Sequence, residues 1–443
     1  MSEPDMNDTI IALSSGHGRA GVSVFRISGP DAFTFLDQYT RHPIRSARRA
    51  SLRWIHNETG DHIDQALILK FEAPASFTGE HMVELHCHGS LAVVDEIIRL
   101  ALRLPRFRLA DAGEFSLRAF ENNKLDLVQA EGIADVIDAT TPTQLKQAAR
   151  FVAGDASEKL DAWRKTLLEA SALIAASIDF SDEGDVGESP HGPVLGLIGE
   201  LITSFEAALA GSKSASRIRD GVRIAILGEP NVGKSTLMNA LANRDAAIVS
   251  EIAGTTRDIL ETHLVLEGVP VTLADTAGLR ETDDPIEAEG VRRARAWAAK
   301  ADLRLYLAPC RAGSLPENEE IDLFVGTKLD ASENFAREVS FDVEVSAKTG
   351  DGIEDLRKML VLSVRQLTRT QDAPSIVRAR HQSQMMIAVD SLRAAKAHLE
   401  EFDDVDLAGI ELSIARAALD QILGRVDVED ILGEIFSNFC VGK

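Results

Sequence analysis

Short apolar runs separated by glycine-rich turns mark the first 121 residues of the chain. Runs of this length that are rich in branched and aromatic residues predict half-buried or buried β-strands. After Gly89 and Ser90, apolar residues recur at helical spacing and stop before Pro105, which predicts one helix. This mixture predicts an α+β domain over residues 1–121. The runs that predict strands are residues 9–13, 22–27, 67–71 and 82–86.

From residue 122 the apolar pattern becomes helical. Thr141 is a suitable N-cap, and Pro142 occupies the favoured first position of the helix that follows. Apolar residues then recur every three or four positions over residues 145–178, which predicts one long helix with a bend at Gly154. A second helix is predicted over residues 193–210. The segment 211–216, rich in glycine and serine, is interpreted as a linker.

Residues 218–365 alternate between short apolar runs and helical stretches, which favours a mostly parallel, doubly wound sheet. The chain is helical again after Pro374. We therefore expect a Ras-like α/β G domain, residues 217–367, inserted into a helical bundle domain. That bundle comprises residues 122–216 and 368–443. The strands expected in the inserted domain are residues 222–227, 269–274, 303–307, 321–325 and 341–345.

Composition adds constraints on compartment and partners. The 443 residues carry a formal net charge of −23, so any contact with RNA requires a local basic patch or a basic partner. Three widely spaced cysteines argue against a disulfide framework and for a reducing compartment. The first residues lack the basic region of a signal peptide, and no apolar run approaches about 18 residues. We expect a cytoplasmic protein that does not span a membrane.

A phosphate-binding loop is the strongest chemical motif. Residues 228–236 fit the spacing G-x-x-x-x-G-K-[ST] between a predicted strand and a predicted helix. Loop N–H groups and the helix N-terminus can cradle phosphates, Lys234 can reach the β and γ phosphates, and the Ser235 hydroxyl can bind Mg²⁺. The predicted phosphate contacts are Asn231, Val232, Gly233, Lys234, Ser235 and Thr236.

Four downstream segments identify the nucleotide as GTP. Asp275 can hold the Mg²⁺ shell, Gly278 can bond the γ phosphate, and Thr256 supplies a second hydroxyl for Mg²⁺. Asp330 can accept both N1–H and N2–H of guanine, a donor pair that adenine lacks. The predicted base contacts are Lys328, Asp330, Ser346, Ala347 and Lys348. Position 327 departs from the usual GTPase pattern, since Thr327 stands where an asparagine amide helps to position the base and brace the phosphate loop.

Hydrolysis in this chain needs an unusual water-orienting group. Leu279 follows the Asp-Thr-Ala-Gly motif where Ras-like proteins carry glutamine, and an apolar side chain cannot orient water. Three glutamates, at positions 281, 287 and 289, lie just downstream, although most such residues are solvated loop acids. With Asn231 and the Gly-Thr-Thr-Arg-Asp switch, this pattern resembles the potassium-activated GTPases. That resemblance assigns catalysis to Glu287. It implies K⁺ ligands at Asn231, Ser250, Ile252 and Thr255.

The two ends of the chain narrow the resemblance. The terminal Phe439-Cys-Val-Gly-Lys443, the segment Glu84-Leu-His-Cys-His-Gly89 and the segment Asn123-Lys-Leu-Asp-Leu127 resemble the MnmE (TrmE) family of bacterial tRNA-modification GTPases. The resemblance covers essentially the whole chain. It implies an N-terminal domain that pairs in a homodimer and binds formyl-tetrahydrofolate. The folate contacts it implies are Arg26, Glu84, Lys124 and Lys443.

The resemblance also implies partners. A GidA/MnmG-type flavoprotein, which carries the FAD, would join the dimer in a heterotetramer. Together they would add an aminomethyl or carboxymethylaminomethyl group to carbon 5 of the tRNA wobble uridine. One alternative is an Era/Der-like ribosome-assembly switch, which predicts a basic RNA-binding appendage that this acidic chain does not offer. A membrane-associated GTPase is disfavoured because no basic amphipathic segment is present.

Overall fold

The computed structural model describes residues 7–179, 191–242, 260–275, 297–312, 314–316, 320–331, 339–369, 376–426, 429–437 and 439–442. The chain divides into two compact units. The first unit comprises Met1–Ala134, Phe151–Pro190 and Ala397–Lys443, and the second comprises Asp135–Arg150 and His191–Lys396. The bounds of the three domains expected from the sequence remain a prediction.

The strands form two sheets, one in each unit. In chain order they are β1 (Thr9–Leu13), β2 (Ala20–Ser28), β3 (Ser51–His56), β4 (His62–Phe71), β5 (Met82–Gly89), β6 (Phe107–Leu109), β7 (Val222–Leu227), β8 (Leu260–Leu266), β9 (Val269–Asp275), β10 (Leu303–Pro309), β11 (Leu323–Thr327) and β12 (Val343–Glu344). Each strand predicted above corresponds to one of these, with ends that differ by a few residues.

Helices account for most of the remaining described chain. They are α1 (Thr34–Tyr39), α2 (Leu91–Ala101), α3 (Glu114–Glu121), α4 (Leu127–Asp138), α5 (Pro142–Ala153), α6 (Asp155–Asp179), α7 (His191–Asp220), α8 (Lys234–Ala242), α9 (Ile353–Leu367), α10 (Ala379–Ala397), α11 (Val405–Leu423) and α12 (Glu429–Ser437). A 3₁₀ turn covers Leu329–Ala331 and a π-helical turn covers His398–Phe402.

The sheet of the first unit has the strand order β3-β4-β5-β2-β1-β6. Its neighbouring strands are antiparallel, except that β6 pairs with β1 in parallel. One face packs against helices in a core that includes Phe25, Ile55 and Ile68 from strands and Phe35 and Ile97 from helices. The opposite face is only partly covered, which leaves room there for polar side chains.

The sheet of the second unit has the order β12-β11-β10-β7-β9-β8. Every neighbouring pair is parallel except β8 with β9, so the expectation of a mostly parallel sheet is confirmed. The antiparallel edge strand β8 was not predicted. Ile224, Leu273 and Leu305 are fully buried in this sheet, and Leu356 of α9 packs against the same core. The carboxyl ends of the parallel strands meet at one edge, where α/β proteins bind ligands.

The helix that starts at Pro142 begins as predicted. The Thr141 hydroxyl accepts a hydrogen bond from the Gln144 N–H at 3.2 Å, and the Gln144 side-chain oxygen accepts one from the Thr141 N–H at 3.2 Å. This reciprocal pair is a capping box. The helix ends at Gly154, whose φ of +96° is left-handed. The long helix predicted over residues 145–178 is therefore two helices, because a left-handed residue cannot continue an α-helix.

The linker expected at residues 211–216 is wrong, since α7 continues through it to Asp220. The hydroxyls of this segment bond to helix carbonyls instead of competing with the helix: Ser212 donates to Leu209 at 2.7 Å and Ser216 to Ser212 at 3.0 Å. Ser212 and Ala215 are buried. The small residues of this segment allow the helix to pack closely within the second unit. The glycine and serine content, which is typical of linkers, does not show whether a segment packs in this way.

One described helix, Gly192–Asp220, is long and apolar enough to cross a membrane by its length and composition alone. Its buried residues Val194, Ile198, Leu201 and Phe205 recur every three or four positions and form a single stripe. A single buried stripe is typical of a helix packed on a core, whereas a spanning helix is apolar all round.

Candidate functional site

The phosphate loop follows β7, whose residues are buried except Arg223. Gly228 has a φ of +134°, and a Cβ at this position would lie 2.3 Å from the Leu307 carbonyl oxygen, so only glycine fits. Gly233 is also left-handed, with a φ of +105°, and α8 begins at Lys234 directly after it. The loop thus places the N-terminus of α8 at the carboxyl edge of the sheet, which is the geometry of an anion site.

Lys234 is buried within this loop. Its Nζ donates hydrogen bonds to the carbonyl oxygens of Gly228 at 2.9 Å and Glu229 at 3.0 Å. Burial lowers the pKa of Lys234, while the negative charge of Asp275 opposes this change. Carbonyl oxygens do not neutralise an ammonium group, so the charge remains available to a nucleotide phosphate.

The Ser235 hydroxyl donates a hydrogen bond to an Asp275 carboxylate oxygen at 3.2 Å. Asp275 ends β9, which lies beside β7, and Ser235 lies in the first turn of α8. Hydroxyl and carboxylate oxygens are the ligands that Mg²⁺ prefers beside phosphates, so the two residues fit the metal predicted here. Among the described residues, no group of three or more His, Cys, Asp or Glu side chains is arranged to hold a metal by itself.

The predicted base-reading residues lie together after β11 and β12. Ser346 is fully buried, and its hydroxyl donates to an Asp330 carboxylate oxygen at 2.8 Å. The Leu329 N–H donates to the Val345 carbonyl at 3.2 Å, so the two loops are also joined by their backbones. These bonds hold Asp330 at the sheet edge with one carboxylate oxygen engaged by a neutral hydroxyl. A carboxylate has about four lone-pair positions, so Asp330 can still accept hydrogen bonds from the guanine N–H groups that it is predicted to bind.

Thr327 is buried, and it links the base-reading loop to the phosphate loop. Its hydroxyl oxygen lies 2.7 Å from the Val232 carbonyl and 3.2 Å from the Ala308 carbonyl, and its one proton can go to either. Threonine at this position therefore replaces part of what the asparagine amide does for the phosphate loop. The hydroxyl keeps one bond to that loop, although it lacks the second donor of an amide.

Several predicted residues lie outside the described part of the chain: Thr256, Gly278, Leu279 and Glu287 predicted near the γ phosphate, Ser250, Ile252 and Thr255 predicted to bind K⁺, and the terminal Lys443. Of the predicted potassium ligands, Asn231 is described. It is exposed in the phosphate loop, with a φ of +62°. This left-handed conformation is one that asparagine tolerates better than most residues do.

A second polar cluster lies on the open face of the sheet in the first unit. Arg26 of β2 and Glu84 of β5 are opposite each other in register, and the Arg26 guanidinium donates to one Glu84 oxygen at 3.1 Å and 3.3 Å. The rings of Phe77 and Phe115 lie 5.1 Å and 5.7 Å from the guanidinium carbon. His86 Nε2 is 3.7 Å from the other Glu84 oxygen. The pair is half-buried, so a ligand can still reach it.

The other two residues predicted to bind folate are Lys124, which the structure describes, and Lys443, which lies outside the described residues. Lys124 is exposed, and its side chain lies beside Gly79, two residues from Phe77. Gly442, the residue before Lys443, accepts a hydrogen bond from the Ser14 hydroxyl at 2.8 Å. The structure therefore brings Arg26 and Glu84 together. It places Lys124 and the described residues 439–442 in the same unit as that pair.

The first unit contains a buried network of ion pairs that the sequence analysis did not predict. Arg118 is fully buried, Glu114 is 2% exposed, and their atoms lie 2.9 Å apart. Arg108 binds both oxygens of Glu114, at 2.6 Å and 2.8 Å, and Arg118 also reaches Glu80 at 3.1 Å. Burial favours the neutral carboxyl, but bonds from Arg108, the Asp111 N–H and Arg118 outweigh it and lower the pKa of Glu114. The spacing of Glu114 and Arg118 at i and i+4 was the available signal.

The nucleotide-site geometry defines a class of protein: a P-loop GTPase with a Ras-like G domain. Comparison with known proteins identifies the group. The family described as "MnmE helical domain" matches residues 127–440, and the family described as "GTP-binding protein TrmE N-terminus" matches residues 9–124. The chain belongs to the MnmE family of tRNA modification GTPases.

Full-length relatives agree. The chain is 46% identical to the tRNA modification GTPase MnmE of Cereibacter sphaeroides over 439 residues, which cover 98% of this chain and 100% of the relative. It is 44% identical to the same protein of Hyphomonas neptunium, over 98% of this chain and 99% of the relative. Among solved structures, Aquifex aeolicus Era bound to GDP and AlF4⁻ matches 38% of this chain and 66% of its own, with 22% identity and a TM-score of 0.27.

Proposed function

We propose that this GTPase modifies carbon 5 of the wobble uridine in tRNA, together with a flavin-dependent partner of the GidA/MnmG type. The observation that carries the proposal is the full-length similarity to relatives named tRNA modification GTPase MnmE. The GTP hydrolysis of the second unit would drive the reaction cycle, and the first unit would hold a tetrahydrofolate that supplies the one-carbon unit.

The polar cluster on the open sheet face supports the folate assignment. Formyl-tetrahydrofolate combines an anionic glutamate tail with a flat pterin ring that carries N–H donors. The Glu84 carboxylate suits the pterin N–H groups, and the Arg26 guanidinium that it binds orients this carboxylate. The aromatic rings of Phe77 and Phe115 beside the guanidinium offer apolar contact for the ring system. Lys124 and Lys443 would add positive charge toward the tail.

The potassium assignment rests on Asn231. The side-chain oxygen of an exposed asparagine in the phosphate loop is a suitable ligand for a monovalent cation beside the β and γ phosphates. Ser250, Ile252 and Thr255 would complete the coordination, and Glu287 would orient the attacking water in place of the missing glutamine. We expect GTP hydrolysis to be faster in K⁺ than in Na⁺, and Asn231→Ala to abolish that difference. Equal rates of the unaltered protein in the two salts would contradict the assignment.

A homodimer is supported by the open sheet face. Leu52 and Leu67 are opposite each other in register, 54% and 39% exposed, and Trp54 is 43% exposed on the same face. An exposed apolar patch of this kind is typical of an interface. We therefore expect the first unit to be the part of the chain through which two copies pair.

The test of the proposed function is a reconstituted reaction. The protein, a GidA/MnmG-type flavoprotein, GTP, K⁺, a tetrahydrofolate one-carbon donor and unmodified tRNA are combined, and the wobble nucleoside is measured by mass spectrometry. We expect a mass increase at that uridine which depends on GTP and on this chain. If the wobble uridine stays unmodified while the chain hydrolyses GTP, the chain is a GTPase with a different target.

A further inference from the structure

An arginine-rich segment borders the sheet of the first unit. It is held at three points: Thr40 forms a bridge to Ile55, Ile44 is buried in the core, and the Arg48 N–H donates to the Lys70 carbonyl at 2.8 Å. The segment therefore runs beside the edge strand β3 from one end to the other. Its exposed arginines, called the arginine edge below, are Arg41, Arg45, Arg48 and Arg49.

The charge of the arginine edge is concentrated. Between Asp37 and Glu58 the sequence has no Asp or Glu, in a chain whose net charge is −23. Where these side chains have a described partner, it is a neutral carbonyl. Arg41 donates to the Gly60 carbonyl at 3.2 Å, and Arg48 donates to the Ala75 carbonyl at 2.9 Å and 3.3 Å. Such bonds orient a guanidinium without neutralising it, and they leave its other N–H groups for an anion.

Two nearby carboxylates are engaged by other cations, and a third, that of Asp61, accepts hydrogen bonds from Asn57 and Thr59. Glu58 binds Arg103 and Arg99, and Glu72 binds Lys70 at 3.2 Å. Elsewhere in the described chain, exposed arginines do lie against carboxylates: Arg393 contacts Glu206 at 2.7 Å and Arg425 contacts Asp161 at 2.6 Å. Among the ion pairs of the described residues, none includes a member of the arginine edge. This strip is therefore a local positive surface on an acidic protein.

Protection of the edge strand is the simpler explanation. Charged residues and a covering loop beside an edge strand prevent pairing with other chains. A few charged residues of either sign are enough to prevent such pairing. Protection of the edge strand does not account for four arginines within nine residues, or for a strip from which carboxylates are absent.

We propose that the arginine edge binds the phosphate backbone of tRNA, an inference that rests on the proposed function. Guanidinium groups bind phosphate oxygens in bidentate fashion, and they release the counterions condensed on the nucleic acid. A chain with this net charge repels RNA over most of its surface, so a positive strip confines the contact to one edge of the first unit. The contact is with phosphates, so it positions the tRNA and does not read its sequence.

The test removes two charges that hold no described backbone contact, with the double substitution Arg45→Gln and Arg49→Gln in the full chain. The matched control, Arg106→Gln with Lys165→Gln, removes two exposed charges elsewhere in the same unit. Binding of fluorescently labelled tRNA is measured by anisotropy between about 50 and 200 mM salt. GTP hydrolysis without tRNA and the thermal midpoint are measured on each protein, and both should equal those of the unaltered chain.

For the arginine-edge variant we expect roughly tenfold weaker tRNA binding at low salt. The slope of log affinity against log salt should fall by about 1.5, since each phosphate contact contributes about 0.7 to 0.9. The control should keep the original slope. An unchanged slope in the edge variant, or an equal loss in the control, would overturn the assignment of this surface. If the unaltered chain binds no tRNA, with or without the flavoprotein, the proposed function itself fails.

Discussion

The two six-stranded sheets of this protein carry their predicted functional side chains in different places. In the second unit, Lys234 starts a helix, Asp275 ends a strand and Asp330 lies in a 3₁₀ turn, all at the carboxyl edge of a mostly parallel sheet. In the first unit, Arg26 and Glu84 lie in the middle of antiparallel strands, on the open face of the sheet. Parallel strands, covered on both faces, leave only their ends for ligands, whereas an antiparallel sheet with one open face can bind on the strands themselves.

The difference also concerns how charge is held. Lys234 is bound by backbone carbonyls and keeps its charge for a phosphate, whereas Arg26 is paired with a carboxylate. A folate bound at Arg26 and Glu84 would have to share or break an existing ion pair. A nucleotide at the phosphate loop would replace weak neutral partners. We therefore expect substitutions at the nucleotide loop to affect activity more than those on the open face.

The largest effect is expected from Glu114→Gln, which changes little volume but leaves the fully buried Arg118 without its main carboxylate. Breaking a buried ion pair costs about 3–5 kcal/mol. Urea unfolding of the first unit should show this loss, while GTP hydrolysis by the second unit stays near that of the unaltered protein. The control is Glu58→Gln, which breaks an exposed pair with Arg103 and should cost less than about 1 kcal/mol. Equal losses in the two variants would contradict the buried network.

The same carboxyl group gives the sign of a pH effect. The pKa of Glu114 lies below its ordinary value of 4.5 in the folded protein. Its contribution is therefore fully present above pH 4.5 and is lost as the pH falls through the folded pKa. We expect the stability of the first unit to fall with acidification below pH 4.5, and the Glu114→Gln variant to show a flatter profile in that range.

The second largest effect is expected from Lys234→Ala in the phosphate loop. Removing a positive charge aimed at the transferred phosphoryl group should lower the kcat/KM for GTP by about 100- to 1000-fold. Lys213→Ala, an exposed position on α7, serves as the control and should leave the rate unchanged. Binding of formyl-tetrahydrofolate by the first unit should be the same in both variants. A loss of folate binding in the Lys234→Ala variant would contradict the assignment of GTP and folate to independent sites.

A smaller effect is expected from Arg26→Gln on the open face. Hydrogen bonds to charged groups contribute about 1.5–3 kcal/mol, so the Kd for formyl-tetrahydrofolate should rise about ten- to hundredfold. Isothermal titration calorimetry measures this change. Arg103→Gln, an exposed arginine of the same unit, should bind folate normally. If the Arg26→Gln variant binds formyl-tetrahydrofolate as tightly as the unaltered protein does, the folate site does not lie on this face.

The smallest effect is expected at Thr327. Thr327→Val keeps the shape but removes the hydroxyl bonded to the phosphate loop, and a neutral hydrogen bond contributes about 0.5–1.5 kcal/mol. Affinity for GTP should fall about two- to tenfold, as measured with a fluorescent analogue. Thr327→Ser should retain the affinity of the unaltered protein, and Thr327→Asn should match or exceed it. If valine binds GTP as well as threonine does, the hydroxyl is not a brace.

The comparison explains what could be predicted from sequence. The phosphate loop is one contiguous motif, because a single strand–loop–helix connection supplies its groups. The structure places it between a strand and a helix, as the spacing of the motif predicted. Arg26 and Glu84 are 58 residues apart, and only strand pairing joins them. They were found through family resemblance, without which each resembles a surface residue. For the same reason the sequence did not reveal the hydrogen bond of Thr327, because its partner Val232 is 95 residues away.

Helical patterns show a related limit. Leu407, Ile410, Leu419 and Ile422 all fit the apolar spacing of α11, yet Leu407 and Ile410 are exposed and Leu419 and Ile422 are fully buried. Periodicity predicts that a helix exists. Which of its apolar residues are covered depends on the neighbouring elements that pack against the helix, and that is a property of the assembled fold.

The sequence by itself determined most of the strands and helices, the order of the two sheets along the chain and the nucleotide loop, because these depend on local spacing, turn residues and contiguous motifs. Tertiary structure alone decided that the 211–216 segment is helical, that Thr327 braces the phosphate loop, and that Arg118 is buried with Glu114. Burial and long-range hydrogen bonds change the free energy of a polar side chain by several kcal/mol, and neither is encoded in its immediate neighbours.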